Sequence, residues 1–291
     1  MLLAEAGASI VRRRRILGEK ALHRHSRFRL TGLASVLAVI LGCASLLPLA
    51  DRSAAAQQSP AVSQSSDPEG GAAACIVAPR PDSLWSLAQC CSRNLQSNRD
   101  CRAYDAADKY IILKDNSPAK PAAYLIIPTI RVPGIEDKQI FSPPVVDFWE
   151  YGWQQAHLLV NKPATDIALA INSKHGRTQN QLHIHIACVL PAVARTLASQ
   201  TAIGTDPATA TRLALAPVNH VYRVIKVNKL AGADSPFTLV AAMPDAAAHM
   251  ADQSIAVIGS ATPNTYFVLD TWANGANPAF AEELLDQNCG S

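Results

Sequence analysis

Residues 178–189, TQNQLHIHIACV, set two histidines two residues apart inside an apolar, β-branched run. In a strand, side chains two apart share a face. Gln181, His183, His185 and Ala187 therefore point one way, and Leu182, Ile184, Ile186 and Cys188 the other. The second row is an ordinary core face, whereas the first is a polar row that packing does not require. A single histidine here reads as an edge residue or one satisfied internally. Two in register read as a site, because Asn172, Ser173, Arg177, Thr178 and Asn180 stand just upstream.

Working outward, several other runs have strand character: KYIILKD (109–115), AAYLIIPTIRV (122–132), DIALAIN (166–172) and LHIHIACV itself (182–189). NHVYRVIKV (219–227), FTLVAAM (237–243), QSIAVIGSA (253–261) and NTYFVLDTW (264–272) follow. Helical spacing marks PDSLWSLAQCCSRNLQ (81–96), with Asp82 or Ser83 as its cap, and a segment starting near Asp147. LPAVARTLASQ (190–200) and a terminal stretch around 279–285 also suit helices. Strands and helices do not alternate strictly. The expected fold class is therefore α+β with an antiparallel sheet rather than a doubly wound one.

Hydrophobic content of 49% with only 5% aromatic implies a mostly aliphatic, alanine-rich core. Of 26 Lys/Arg and 23 Asp/Glu, eight and two respectively fall in residues 1–29, so the remainder carries 18 and 21, a net of −3. A nucleic-acid-binding body shows the opposite bias, and that class is excluded. The basic block runs into LTGLASVLAVILGCASLLPLA (30–50), which is uncharged and just long enough to cross a bilayer. Basic residues on its N-terminal side place that side in the cytoplasm and everything after Ala50 outside. Three fates fit: a retained signal anchor, cleavage after a small-residue site ending at Ala56, or lipidation at Cys43. The anchor is favoured, since the stretch exceeds the usual signal length and Leu41 sits poorly before Gly42 in a lipobox.

The expected organisation is a basic cytoplasmic tail (1–29), a transmembrane signal anchor (30–50), a flexible small-residue linker (51–74) and a folded domain (75–291). The domain then lies on the periplasmic side of the inner (plasma) membrane. Cys75, Cys90, Cys91, Cys101, Cys188 and Cys289 allow up to three disulfides in such an exported chain. Strand alternation aims Cys188 away from the histidines, and the expectation is that it pairs with Cys289 while the other four pair among themselves.

Paired histidines serve several chemistries. A zinc site needs a third and usually a fourth ligand, for which His157, His220 and His249 are candidates without a fixed distance. A two-histidine phosphoesterase needs H-x-[ST] twice, which HIHI does not supply. Nucleophilic attack by imidazole on phosphorus is the remaining option.

The string GRTQNQLHIHIACV resembles the histidine-triad (HIT) signature. Together with YLIIPTIRVPGIED and FWEYGWQQA, the longer LAINSKHGRTQNQLHIHIACV is similar to the CDP-diacylglycerol pyrophosphatase branch of that superfamily. The resemblance covers roughly residues 90–289. It implies a HIT-like antiparallel sheet with flanking helices behind one N-terminal transmembrane helix. The implied activity is hydrolysis of membrane CDP-diacylglycerol to CMP and phosphatidate, with no metal and no cofactor. His183 falls on the family's nucleophile and His185 on the last triad position, where it supports phosphate charge. Asn172, Ser173, Arg177, Thr178, Asn180 and Gln181 are the implied substrate-binding set. The sequence departs from the pattern at Gln181, where the triad has its first histidine, and at Arg177, where glutamine is common. Lys114 and Arg131 are weaker phosphate-binding candidates, and Trp149 with Trp153 reads as a core stripe or a surface for lipid or base. Two alternatives remain: a periplasmic nucleotide- or lipid-binding protein without turnover, and a metal-binding module on His183 and His185.

Overall fold

The computed structural model describes residues 75–290. The expected tail, anchor and linker (1–74) lie outside the described residues. Among the described residues no helix is long and apolar enough to cross a membrane.

The strands are β1 (Cys101–Asp105), β2 (Tyr110–Lys114), β3 (Tyr124–Pro128), β4 (Ile167–Ile171), β5 (Ile184–Val189), β6 (Thr211–Leu215), β7 (His220–Val227), β8 (Gln253–Gly259), β9 (Tyr266–Trp272) and β10 (Leu285–Asp286). They form one antiparallel sheet in the order β1-β2-β3-β5-β4-β8-β9-β7-β6, with β10 added to β5 beyond the end of β3. The α+β expectation holds. The helices are α1 (Ser83–Arg93), α2 (Phe148–Val160), α3 (Pro191–Ala198) and α4 (Pro236–Ala241).

Both faces of the central strands are buried, so β4 and β8 are apolar almost throughout rather than alternating. On one face Ile126, Leu169, Ile184 and Ile186 pack beneath α2 and α4. The buried stripe of α2 is Phe148, Trp149, Gly152, Trp153 and Ala156, so the tryptophans are core residues. Gly152 lets α2 approach the sheet closely: a Cβ would lie 2.8 Å from Leu169 Cδ2, which would have to shift. On the opposite face α1 covers Ile111, Leu113, Leu125 and Ile127. Farther along that face the alanines Ala168, Ala170, Ala187 and Ala256 leave depth, which Ala281, Leu284 and Leu285 of the C-terminal segment fill. His185 lies in the same cross-strand row as Leu125 and Ala170, between these two packed regions.

Three sequence expectations require correction. FTLVAAM is helix α4 rather than a strand, because Pro236 starts the first turn and Phe237 and Val240 bury one helical face. The stretch around 279–285 is a single 3₁₀ turn, Ala281–Leu284, followed by β10, because pairing with β5 needs extended chain. Strand β5 begins at Ile184, so His183 stands just ahead of it. The disulfides are Cys75–Cys90, Cys91–Cys101 and Cys188–Cys289, so Cys188 meets Cys289 as expected and the other four cysteines pair among themselves.

Candidate active site

A cavity of about 560 Å³ opens between α1, the end of β2 with the 115–120 segment that follows it, the loop after β4 and the C-terminal segment. His183 and His185 lie in its wall, their rings 5.0 Å apart. His183 Nδ1 is 2.7 Å from the main-chain carbonyl of Gln181. A carbonyl only accepts, so Nδ1 carries the proton and Nε2 keeps its lone pair. Burial pushes the His183 pKa below its ordinary value, against the opposing pull of the Gln181 carbonyl and Glu282. The ring is thus neutral at pH 7, the form that can attack.

His185 is buried, and burial lowers its pKa to about 4 although Glu282 pulls the other way. Its Nε2 is 3.4 Å from Glu282 Oε2. Neither ring nitrogen has a hydrogen-bond partner among the described residues. Both nitrogens are therefore free of protein partners and open to a water or a ligand atom.

Glu282 was not anticipated from sequence. It is buried, receives a hydrogen bond from Lys120 Nζ and one from Gln287 Nε2, and is bracketed by Asn172. Asn172 Nδ2 donates to Glu282 Oε2 at 3.2 Å, while its Oδ1 accepts from the Glu282 main-chain N–H at 3.2 Å. Burial by itself would raise the Glu282 carboxyl. His185, Lys120 and Asn172 outweigh it and hold the group at about 2, fully ionised. Asn172 therefore lines the cavity and positions Glu282.

The other expected residues divide. Thr178 and Arg177 line the cavity. The Arg177 guanidinium is forked onto Glu136 at 2.6 and 2.5 Å, and its Nε donates to the Gln179 carbonyl at 3.0 Å, so much of its donor capacity is used within the protein. Ser173, Asn180 and Gln181 are not in the cavity wall. Ser173 Oγ accepts from the main-chain N–H groups of His175 and Gly176 and shapes the turn. Asn180 is exposed and ties its N–H to the Pro81 carbonyl. The Gln181 side chain is fully buried and donates to the Pro128 and Ile130 carbonyls, at 2.9 and 2.8 Å. Its contribution to the site passes through its main-chain oxygen.

Of the weaker candidates, Lys114 lines the cavity and donates to the Asp115 and Lys120 carbonyls. Arg131 does not line it and pairs with Asp82. Arg80 is exposed at the cavity and has no ion-pair partner among the described residues. For a metal, His220 is engaged with Glu283 and His249 lies near Asp252, while His157 is exposed on α2. None of the three lines the histidine cavity. Among the described residues no group of three or more His, Cys, Asp or Glu is placed to hold a metal ion.

Comparison with known proteins identifies the family. Residues 79–291 match the family model described as CDP-diacylglycerol pyrophosphatase. A protein of Yersinia pestis named CDP-diacylglycerol pyrophosphatase is 33% identical over 223 residues, covering 72% of this chain and 84% of that protein. Among solved structures, a DUF4931 family protein from Bacillus cereus aligns at 12% identity with a TM-score of 0.37, covering 62% of this chain and 88% of that one.

Proposed function

Because the chain belongs to the CDP-diacylglycerol pyrophosphatase family, we propose that it hydrolyses the pyrophosphate of CDP-diacylglycerol to CMP and phosphatidate, with His183 as the nucleophile. The observation that carries this reading is the His183 tautomer. Its Nδ1 proton is committed to the Gln181 carbonyl, so the Nε2 lone pair is available beside a cavity lined with cations.

Nε2 attacks the phosphorus bonded to cytidine. The bond to the bridging oxygen breaks, its electron pair leaves with phosphatidate, and CMP is held on His183 as a phosphoramidate. The ring becomes cationic at this point, and the Gln181 carbonyl on Nδ1–H stabilises it. Charge spreading onto the phosphate oxygens meets His185, Lys120, Lys114 and the Thr178 hydroxyl. In the second half, water attacks the same phosphorus and the P–N bond breaks, returning its pair to Nε2. The water proton passes to His185, whose imidazolium is stabilised by the ionised Glu282 at 3.4 Å, and then to solvent. One water is consumed and the enzyme is restored.

The location belongs to the same proposal. A retained anchor at residues 30–50, with the domain outside the cytoplasm, holds the enzyme where its lipid substrate resides. The basic flank of that stretch and the three disulfides support this reading.

Hydrolysis in ¹⁸O-labelled water tests which phosphorus is attacked. The heavy oxygen is expected in CMP. Label in phosphatidate instead would overturn the assignment.

A further inference from the structure

We infer that Ile76, Val77 and Arg80 form a lipid-docking rim that seats the mouth of the histidine cavity on the surface of an anionic bilayer. The inference rests on the lipid-substrate reading above and goes on to say how that substrate is reached. Ile76 is 88% exposed, the most exposed large hydrophobic among the described residues, and its neighbour Val77 is 40% exposed. Isolated exposed apolar residues are common, but these two adjoin a functional cavity. Val77 and Arg80 both line it.

The segment is not a loose end. Cys75 is bonded to Cys90 of α1, and α1 presents Leu84 and Leu87 to the same cavity. The disulfide therefore ties the segment carrying Ile76 and Val77 to α1. The uncharged stretch 30–50 is separated from Cys75 by 24 residues of sequence.

Substrate chemistry points the same way. A cavity of about 560 Å³ suits a nucleoside diphosphate. It leaves no room for two long acyl chains as well, so those chains must remain in the lipid while the head group enters. Exposed Ile76 and Val77 suit the acyl boundary, and the guanidinium of Arg80 suits lipid phosphates, which it can meet with paired N–H donors.

Full-length protein reconstituted in vesicles containing phosphatidylglycerol provides the test. Ile76→Glu is expected to lower kcat/KM on vesicle-borne CDP-diacylglycerol about tenfold, the factor one buried aliphatic side chain carries. On water-soluble CDP-glycerol the same variant is expected to stay within about twofold of the parent. Unchanged turnover of the vesicle substrate, or equal losses on both substrates, would overturn the rim. If the parent cleaves neither substrate, the hydrolase reading fails separately, and a second measurement still judges docking. The added tryptophan of Ile76→Trp is expected to be quenched by bromine-labelled lipid chains. Fluorescence insensitive to those lipids would also overturn the rim.

Discussion

Glu282→Gln removes the charge that the C-terminal segment brings to the histidines while keeping the shape of the side chain. The carboxyl sits at about 2 in the folded protein against an ordinary value of 4.5. At 1.36 kcal/mol per pH unit that difference corresponds to about 3 kcal/mol of folding stability. Because the folded value is depressed, the contribution is fully present above pH 4.5 and is lost as the pH falls toward 2. His185 is neutral above about 4, so at pH 7 the charge is met by Lys120 and by amide groups. Lys120 is itself 29% exposed, and about 1.5–2 kcal/mol remains after solvent screening. For a domain of this size the substitution lowers Tm by about 3–8 °C. Urea denaturation at pH 7 and pH 3 measures it, and less than half of the gap should survive at the lower pH. The charge of Glu282 also raises the pKa of both histidines. The acid limb of kcat/KM, which lies below pH 6.5 in the parent, therefore moves lower in the variant, and kcat falls by about ten- to a hundredfold. Equal stability of parent and variant at pH 7, or an acid limb that moves upward, would refute the reasoning.

His183→Ala should fold normally by circular dichroism and lose about 10⁴-fold or more in CMP release; substantial residual turnover would assign the chemistry elsewhere. Gln181→Ala leaves the Pro128 and Ile130 carbonyls without their buried donor and should cost about 2–4 kcal/mol in chemical denaturation. Replacing Cys188 with alanine opens a bridge spanning 101 residues, with an expected loss of about 2–5 kcal/mol. The Cys188 variant that remains folded should still release CMP, because the bridge lies away from His183. Turnover should persist in EDTA, since His157, His220 and His249 lie outside the cavity wall; activity lost to the chelator and restored by one divalent ion would contradict this.

The strands nearest the site were legible because they are short, β-branched and bounded by turn residues. Strands β1 and β6 were not, because CRAYD and TRLAL alternate polar and apolar residues with little β-branching. The run FTLVAAM is too short for periodicity to separate strand from helix, and Pro236 just ahead of it was the signal that decides. The histidine pair announced itself through its period of two. Glu282 did not, because it meets Asn172 across 110 residues of sequence and stands in a segment that reads as an ordinary amphipathic end. Lys120 was hidden in the same way, 162 residues from its carboxylate. Arg177 lines the cavity, as its place in the motif led us to expect, while only the fold reveals that Glu136 occupies its fork. Gln181 stood out in the sequence by its side chain, while the main-chain oxygen that orients His183 is indifferent to which residue supplies it.

The account turns on His183 Nε2 as the atom that attacks phosphorus. A single-turnover reaction with CDP-diacylglycerol, quenched before the second half-reaction completes and digested for mass spectrometry, examines that atom directly. A CMP adduct on the peptide carrying His183, rising with phosphatidate release and decaying as free CMP appears, is the predicted result. Phosphatidate and CMP appearing together with an unmodified His183 peptide throughout the turnover would contradict it and assign the attack to water.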